Sequence, residues 1–315
     1  MNNHVELVSR YFVREPRVDG FFDAYSCSVQ YVVADRDTGR CAIIDPVLNY
    51  DEKSAATATS SADALLAFVR ERKLTVEWIL DTHPHADHFS ATAYLKEKTG
   101  ARTVIGERVT DVQRLWKDIY NLPPSFRTDG SQWDRLFADG DVFHIGDLEA
   151  RVLFSPGHTP ASVTYVVGDA AFIHDTLFMP DFGTARCDFP GGDAHALWRT
   201  IERILALPDH TRLFTGHDYM PNGRPPAWES TVAHQRAPEH SPCPGAWRGR
   251  VRCPSPRTRR KFADAKAHSA RSAGQYRSRT PASRRRQRRT LFEDTAQRAC
   301  DLSRMRAVSP PNKAP

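Results

Sequence analysis

Three histidines and two aspartates lie within the eight-residue segment DTHPHADH, at positions 81–88. The segment directly follows the apolar run WIL, which is typical of a buried strand. Side chains two residues apart on an extended chain point the same way, so His83 and His85 are expected to face one point. Asp87 and His88 follow where a helix is expected to begin, which brings them back toward that point. Imidazoles and carboxylates are typical ligands of zinc, iron or manganese.

Three later residues share this placement at the ends of apolar strands. His158 lies in SPGHTP, Asp175 in FIHDTLF and His217 in TGHDY. Because strand ends at one edge of a sheet converge, the seven polar residues are expected to surround a single site. So many buried polar groups need a bound cation to offset their desolvation. The pattern therefore predicts a metal site.

The segments around these residues predict an α/β fold. A β-hairpin is expected at 25–45 and a helix at 60–73, followed by the strand TVEWIL. SATAYLKEKTG reads as a helix, RTVIG as a strand and ERVTDVQRLWKDIY as a helix. Consecutive strands follow from 136 to 179, then a helix at 193–207, the strand TRLFTG and a helix near PAWESTVAHQRA. Helices that cover sheets on both sides would form an α/β sandwich.

Charge divides the chain near residue 237. Residues 238–315 contain 20 Lys+Arg, 17 of them Arg, against 5 Asp+Glu, and the totals of 44 and 38 leave 24 against 33 for residues 1–237. The tail is rich in Arg, Ser, Pro and Ala and contains RRRQRR. Such a segment cannot bury enough apolar area to offset its ordering entropy, so disorder is expected. We therefore predict a catalytic domain over 1–237 and a disordered basic tail over 238–315.

Composition also predicts the cellular compartment. No run approaches the roughly 18 apolar residues of a membrane span, and the N-terminal segment lacks the apolar part of a signal peptide. Six cysteines without paired spacing are typical of reduced thiols. A cytoplasmic protein without membrane association is expected. Its oligomeric state stays open, with a homodimer as one option.

In order and approximate spacing, THPHADH, SPGHTP, HDTLF and TGHDY resemble the metal-binding motifs of the metallo-β-lactamase superfamily. The flanking segments CAIIDPVL, TPASVTYVVGDAAF and GTARCDFPGGDA look most like the persulfide dioxygenases, also called sulfur dioxygenases, and especially the bacterial β-lactamase-like hydrolase branch. Of these, GTARCDFPGGDA is the most specific marker. The resemblance covers about residues 17–237. It implies the αββα sandwich of the metallo-β-lactamase type.

The resemblance further implies one Fe(II) per chain, held by His83, His158 and Asp175. Such a facial triad leaves open positions for dioxygen and a substrate sulfur. The implied reaction oxidises the outer sulfur of glutathione persulfide with dioxygen to sulfite and glutathione, a step in sulfide detoxification. Arg186 and Tyr219 match positions that contact the glutathione part, and no catalytic residue beyond the metal site is implied. Four further residues would orient the ligands: His85, Asp87, His88 and His217.

The main alternative is a thiolester hydrolase of the glyoxalase II type from the same superfamily. It would hold two metals, either two Zn(II) or mixed Fe/Zn, and a metal-bound hydroxide would attack a carbonyl. His83, His85 and His158 would bind one metal, the three residues Asp87, His88 and His217 the other, and Asp175 would bridge them. All seven residues are present, so the set of possible metal ligands is compatible with both the dioxygenase and the hydrolase. The flanking resemblance favours iron.

His174 stands where the resembled family usually has Gly. The larger ring is expected to crowd the ligand loop or to add a ligand.

Three origins are open for the tail. A basic segment could bind nucleic acid through phosphate contacts, but it lacks interleaved aromatic residues and a binding fold, so specific recognition is not expected. The abrupt change near Ala237 and the excess of residues with GC-rich codons favour a frameshift that replaced the native C-terminal region. An inert variable tail is the third origin. A non-catalytic metal-binding relic is therefore an alternative to an enzyme.

Overall fold

The computed structural model describes residues 15–188 and 190–237. The strands of the first half are, in chain order, β1 (Arg17–Asp23), β2 (Ser28–Ala34), β3 (Arg40–Ile44), β4 (Val47–Asp51), β5 (Ala56–Ala58), β6 (Thr75–Leu80), β7 (Phe89–Ser90), β8 (Arg102–Gly106) and β9 (Arg135–Phe137). Those of the second half are β10 (Val142–Ile145), β11 (Leu148–Phe154), β12 (Val163–Val167), β13 (Ala170–His174), β14 (Arg212–Thr215) and β15 (Glu229–Thr231). The helices are α1 (Ser60–Glu71), α2 (Thr92–Thr99), α3 (Val109–Tyr120), α4 (Ala194–Leu205) and α5 (Val232–Arg236).

Two six-stranded sheets form the centre of the fold. The first has the order β1-β2-β3-β6-β8-β9 and the second runs from β10 to β15 in sequence order. Strands β3, β6, β8 and β9 run parallel to one another, and so do β13 and β14 in the second sheet; the other pairs are antiparallel. Because parallel strands end at the same edge, the segments that follow them meet there. Strands β5, β4 and β7 form a third, three-stranded sheet.

Apolar residues fill the space between the sheets and under the helices. Fully buried side chains of both sheets, among them Leu80 and Phe172, form one central cluster. Helices α1 and α2 pack on the first sheet through residues such as Leu65 and Leu95. Helix α4 packs on the second sheet through residues such as Leu197. The predicted αββα sandwich is therefore confirmed.

Most predicted elements lie where the sequence indicated, and two differ. The helix expected near residues 226–237 is the strand β15 followed by the short helix α5, because residues 229–231 pair with β14 and extend the sheet. Thr231 then caps α5, accepting a hydrogen bond from the backbone N–H of His234 at 3.1 Å. The helix expected from Ser90 begins at Thr92, because Ser90 belongs to β7, which pairs with β4.

No helix within residues 15–188 and 190–237 has the length and apolar character that a membrane crossing requires. The predictions made for residues 238–315, including disorder, nucleic-acid contact and a frameshift origin, lie outside the described residues.

Replacement of Phe137 by Ala tests the central core. Phe137 is fully buried in β9 and stacks on Phe143 with ring centroids 4.8 Å apart. The lost burial and the remaining cavity should lower the free energy of unfolding by about 3–5 kcal/mol. Val142→Ala on β10, the next strand along the chain, is the control. Val142 is exposed, so its truncation should change the free energy of unfolding by about 0.5 kcal/mol or less. Urea denaturation followed by circular dichroism measures both; equal midpoints would contradict the assignment of the core.

Candidate metal centre

His83, His158 and Asp175 converge on one point at the edge where the strands end. His83 follows β6, His158 follows β11 and Asp175 follows β13, and one ligand atom of each lies within 4.8 Å of the others. Asp175 Oδ2 lies 3.4 Å from His158 Nε2 and 3.9 Å from His83 Nε2. All three side chains are buried. The structure thus places two imidazoles and one carboxylate around a shared space.

Hydrogen bonds at the far side of each ring orient both imidazoles. His158 Nδ1 lies 2.9 Å from the backbone carbonyl of Arg186, which can only accept, so this nitrogen donates. The Thr82 hydroxyl donates to Asp45 Oδ2 at 2.7 Å and can therefore accept from His83 Nδ1 at 2.9 Å. Both rings then present Nε2 toward Asp175. Outer contacts of this kind fix the tautomer of metal-binding histidines.

Electrostatics keep the donors in the forms that bind cations. Burial, with the neighbouring His85, holds the pKa of His83 well below its usual range, so its ring is neutral. Burial alone would raise the pKa of Asp175, but the charge of His217 and its hydrogen bond outweigh burial and hold the value well below the usual range. A neutral imidazole and an ionised carboxylate therefore face the same space at neutral pH.

Asp45 is a site residue that spacing alone did not identify. It follows β3, is buried, and accepts the backbone N–H of Thr82 through Oδ1 at 2.7 Å. The same oxygen lies 3.2 Å from His85 Nε2. Burial acts to raise the pKa of Asp45, but His85 and Thr82 lower it. Its position after a strand, in IIDP, is the signal that could have found it.

A second group of donors, His85, Asp87 and His88, lies beside the first. Their ligand atoms lie within 4.8 Å of one another, and the rings of His85 and His88 stack with centroids 4.2 Å apart. Burial acts to lower the pKa of His85, but Asp45 outweighs it and raises the value to about 9. Burial and His85 lower the pKa of His88 to about 4. His85 Nδ1 and His88 Nε2 are buried and have no hydrogen-bond partner.

His217 lies between the two groups, and carboxylates engage both of its ring nitrogens. Nδ1 lies 2.7 Å from Asp175 Oδ1, and Nε2 lies 2.8 Å from Asp87 Oδ2. Burial acts to lower the pKa of His217, but the two carboxylates raise it well above its usual range. Burial would raise the pKa of Asp87, but its hydrogen bond to His217 lowers it to about 2. His217 is therefore a cation that donates to both acids.

Asp81, a further polar residue of the first motif, is held by side chains of neighbouring segments. Its carboxylate accepts hydrogen bonds from Ser90 at 2.7 Å and from Trp133 Nε1 at 2.8 Å. Burial raises the pKa of Asp81. It can form a donor group with Asp45 and His85, but its oxygens already hold neighbouring segments in place.

Tyr219 and Arg186 lie at the rim of the site. The ring of Tyr219 stacks on His217 with an interplanar angle of 1° and centroids 5.6 Å apart. Burial raises the pKa of the Tyr219 hydroxyl, and the charge of Arg186 acts against that rise. Arg186 is largely exposed and donates through Nε to Asp188 at 2.7 Å. Each of the two predicted contact residues thus neighbours a histidine of the metal centre, Tyr219 through His217 and Arg186 through His158; their contact with a substrate stays a prediction.

His174 packs beside the centre. Its ring centroid lies 5.4 Å from that of His83, and Nε2 lies 3.1 Å from the Thr176 hydroxyl. Its φ of 41° falls in the left-handed region that favours glycine. Among the described residues, the groups of donors that could hold a metal do not include His174. The ring therefore packs against His83 and is in none of these donor groups, and the expected crowding of the ligand loop stays a prediction.

The donor set fits a divalent transition metal. Two imidazoles with fixed outer hydrogen bonds and one ionised carboxylate are ligands that iron and zinc both accept. The buried nitrogens of His85 and His88 that lack partners lie beside this set. Metal-binding clusters of His and Asp are thus a property of this fold, and the ligand roles of individual residues stay predictions.

Comparison with known proteins places these features in a family. The family model described as metallo-beta-lactamase superfamily matches residues 26–217. The beta-lactamase hydrolase-like protein of Xylella fastidiosa is 67% identical over 232 residues, which are 74% of this chain and 54% of the relative. The chain thus spans about half the length of that relative.

Two other relatives are named as enzymes. Glyoxylase B2 of Dictyostelium discoideum is 47% identical over 222 residues, 70% of this chain and 76% of the relative. The mitochondrial persulfide dioxygenase ETHE1 of Bos taurus is 32% identical over 202 residues, 63% of this chain and 66% of the relative. The crystal structure of ETHE1 from Myxococcus xanthus matches with a TM-score of 0.57 and 30% identity, covering 72% of this chain and 83% of that one.

Replacement of Asp45 by Asn tests the outer hydrogen bonds of the site. The amide has one acceptor oxygen, so it cannot accept from both the backbone N–H and the hydroxyl of Thr82, and it carries no charge beside His85. We expect the affinity for Fe(II) to fall by about 10–100-fold. Asp35→Asn is the control: Asp35 is also buried, but it lies at the opposite end of β2 and β3. Chelator competition measures both affinities, and equal values for the two variants would contradict the role of Asp45.

Proposed function

This chain belongs to the metallo-β-lactamase superfamily, and on that premise we propose that it is an iron-dependent persulfide dioxygenase. The reaction would convert glutathione persulfide, dioxygen and water into glutathione and sulfite. The substrates would be glutathione persulfide and dioxygen, and the cofactor one Fe(II) per chain. The similarity to persulfide dioxygenase ETHE1 in sequence and structure supports this choice.

One observation carries the proposal: the two oxygens of Asp175 serve different partners. Oδ2 faces His83 and His158, whereas Oδ1 accepts from His217 at 2.7 Å. The other nitrogen of His217 donates to Asp87, so neither ring nitrogen offers a lone pair to a second ion. Three donors on one side of a single ion correspond to the facial arrangement of non-haem iron oxygenases.

The residues of the chain would orient this centre and its substrate. Bound ferrous iron supplies open coordination positions at which dioxygen and a substrate sulfur can meet. Thr82 and the carbonyl of Arg186 hold the two imidazoles in a fixed orientation. The cationic His217 keeps Asp175 ionised. Because carboxylates of Asp175 and Asp87 accept hydrogen bonds from its two ring nitrogens, His217 keeps both of its ring protons.

The rim would bind the glutathione part. Glutathione has two carboxylates, and the guanidinium of Arg186 can pair with one of them through two hydrogen bonds. The ring of Tyr219 is 40% exposed and offers an apolar face beside the metal site. The tripeptide would then lie across this side of the centre, with its sulfur directed inward.

A thiolester hydrolase with two metals is the second candidate. The unpartnered nitrogens of His85 and His88 could serve as ligands of a second ion. The identity of 47% with glyoxylase B2 also favours it. In that case His217 would have to release Asp87 and bind metal through a ring nitrogen.

Turnover by the iron-loaded chain distinguishes the candidates. We expect oxygen uptake and sulfite release with glutathione persulfide, and one bound iron per chain. Hydrolysis of S-lactoylglutathione without oxygen uptake, with two metals bound, would contradict the proposal in favour of the hydrolase. Iron binding without turnover of either substrate would instead support a metal-binding relic.

Two substitutions separate the donor groups. His158→Gln should abolish iron binding and oxygen uptake, because it removes one of three proposed ligands. His88→Gln should retain one iron per chain and lower oxygen uptake by about 10-fold at most, since His88 would act only through its neighbours. His195→Gln, an exposed residue of α4, serves as the control. Equal loss of metal in the His88 and His158 variants would contradict a centre with one ion.

A further inference from the structure

Arg224 joins two loops that follow neighbouring parallel strands. Its guanidinium donates to Asp218 from Nη1 at 2.6 Å and from Nη2 at 2.7 Å. It also donates to Asp181 from Nε at 2.6 Å and from Nη2 at 2.9 Å. Asp218 lies in the loop after β14, and Asp181 lies in the loop after β13. One side chain thus makes paired hydrogen bonds to both loops.

Arg224, Asp181 and Asp218 form a clamp, and its Asp218 side is buried. The Asp218 side chain is fully inaccessible to solvent, and its Oδ2 also accepts the backbone N–H of Ala227 at 2.8 Å. The backbone N–H of Asp218 donates to the carbonyl of Cys27 at 3.0 Å. A buried carboxylate without its cation would be strongly destabilised. The position of Asp218 therefore depends on Arg224.

The clamped loops carry the aromatic residues beside the metal centre. Tyr219 follows Asp218 directly, and its ring lies 4.9 Å from that of Phe182 and 5.6 Å from that of Phe178, measured between centroids. Phe182 follows Asp181 directly. Each carboxylate held by Arg224 is therefore the neighbour of one ring of this pair. The same loop after β13 continues to Arg186.

We propose that Arg224 is a positioning residue that sets the substrate-binding face of the site. It holds Asp181 and Asp218, and through them it places the rings of Phe182 and Tyr219 side by side next to His217. This pair of rings, with Arg186, forms the face against which the glutathione part of the substrate lies. The inference rests on the proposed function, because that function supplies the glutathione-bearing substrate. Arg224 itself does not contact the reacting atoms.

The clamp requires arginine. A planar guanidinium presents five N–H donors in a fixed fork and can pair with two carboxylates at once. A lysine ammonium is a compact charge without this fork, so it can approach one carboxylate but cannot align both loops. The loops would then keep their charge balance and lose their relative position.

Arg224→Lys in the iron-loaded chain tests the inference. We expect KM for glutathione persulfide to rise by about 10-fold or more, since small displacements of substrate-positioning groups have large effects. kcat should change by less than about threefold, and iron content should stay at the wild-type value, because the ligands of the ion are not touched. The affinity for glutathione itself, measured by calorimetry, should fall in parallel with the rise in KM. Phe182→Leu, which keeps the clamp and removes one ring, should raise KM in the same direction.

Arg212→Lys is the matched control. Arg212 makes the same paired contact with Asp169, at 2.8 Å from both Nε and Nη2, and lies at the opposite end of β14 from His217. Its replacement should leave KM and kcat within about twofold of wild type. The Arg212 variant therefore shows how the loss of a paired arginine–carboxylate contact affects this fold at a place remote from the site.

The outcomes separate the inference from the proposed function. If the chain hydrolyses S-lactoylglutathione in place of oxidising the persulfide, the proposed function fails, and the rise in KM is then measured with that thiolester. If the Arg224 and Arg212 variants bind glutathione equally well and show equal KM, the inference fails while the proposed function stands. A wild-type chain that neither turns over glutathione persulfide nor binds glutathione overturns both. A loss of iron or of kcat in Arg224→Lys without a change in KM would show a structural role and also overturn the inference.

Discussion

The division of Asp175 between two partners organises the site. One carboxylate oxygen faces the rings of His83 and His158, and the other accepts a hydrogen bond from the cationic His217. A carboxylate in a fully buried position would ordinarily lose its charge, because burial favours the neutral acid. The adjacent imidazolium prevents this and keeps an anion at the point where the donors meet. The proposed single-ion centre depends on this charge arrangement.

The fold provides the edge at which this arrangement can form. Parallel pairing of β3 with β6 and of β13 with β14 brings four strand ends to the site, and with them Asp45, His83, Asp175 and His217. Antiparallel pairing of β11 with β12 supplies His158 from the loop between these strands. The apolar cluster between the two sheets keeps these ends in register. Hydrogen bonds with Thr82, Arg186 and Asp175 then orient His83, His158 and His217.

The histidine-rich segment and the strand ends could be read from the sequence, because side-chain chemistry and apolar runs are local signals. These signals predicted the sandwich and the convergence of His83, His158 and Asp175. They did not reveal Asp45, since its contact with Thr82 follows from the pairing of two strands that are distant in sequence. The edge strand β15 was also missed, because pairing with β14 outweighed a pattern typical of a helix.

The contacts of Arg224 could not be predicted from the sequence for the same reason. Its partner Asp181 lies 43 residues away in the sequence, and only the fold brings the two together. The residues that carry the chemistry were therefore predictable by type, whereas the residues that orient them depend on tertiary contacts that no local pattern encodes.

Anomalous diffraction at the iron edge from crystals of the iron-loaded chain tests the central claim most directly. A centre with one ion predicts a single peak, bounded by His83 Nε2, His158 Nε2 and Asp175 Oδ2, with His217 still between Asp87 and Asp175. Two peaks separated by about 3.5–4 Å, the second between Asp87, His88 and His217, would contradict it.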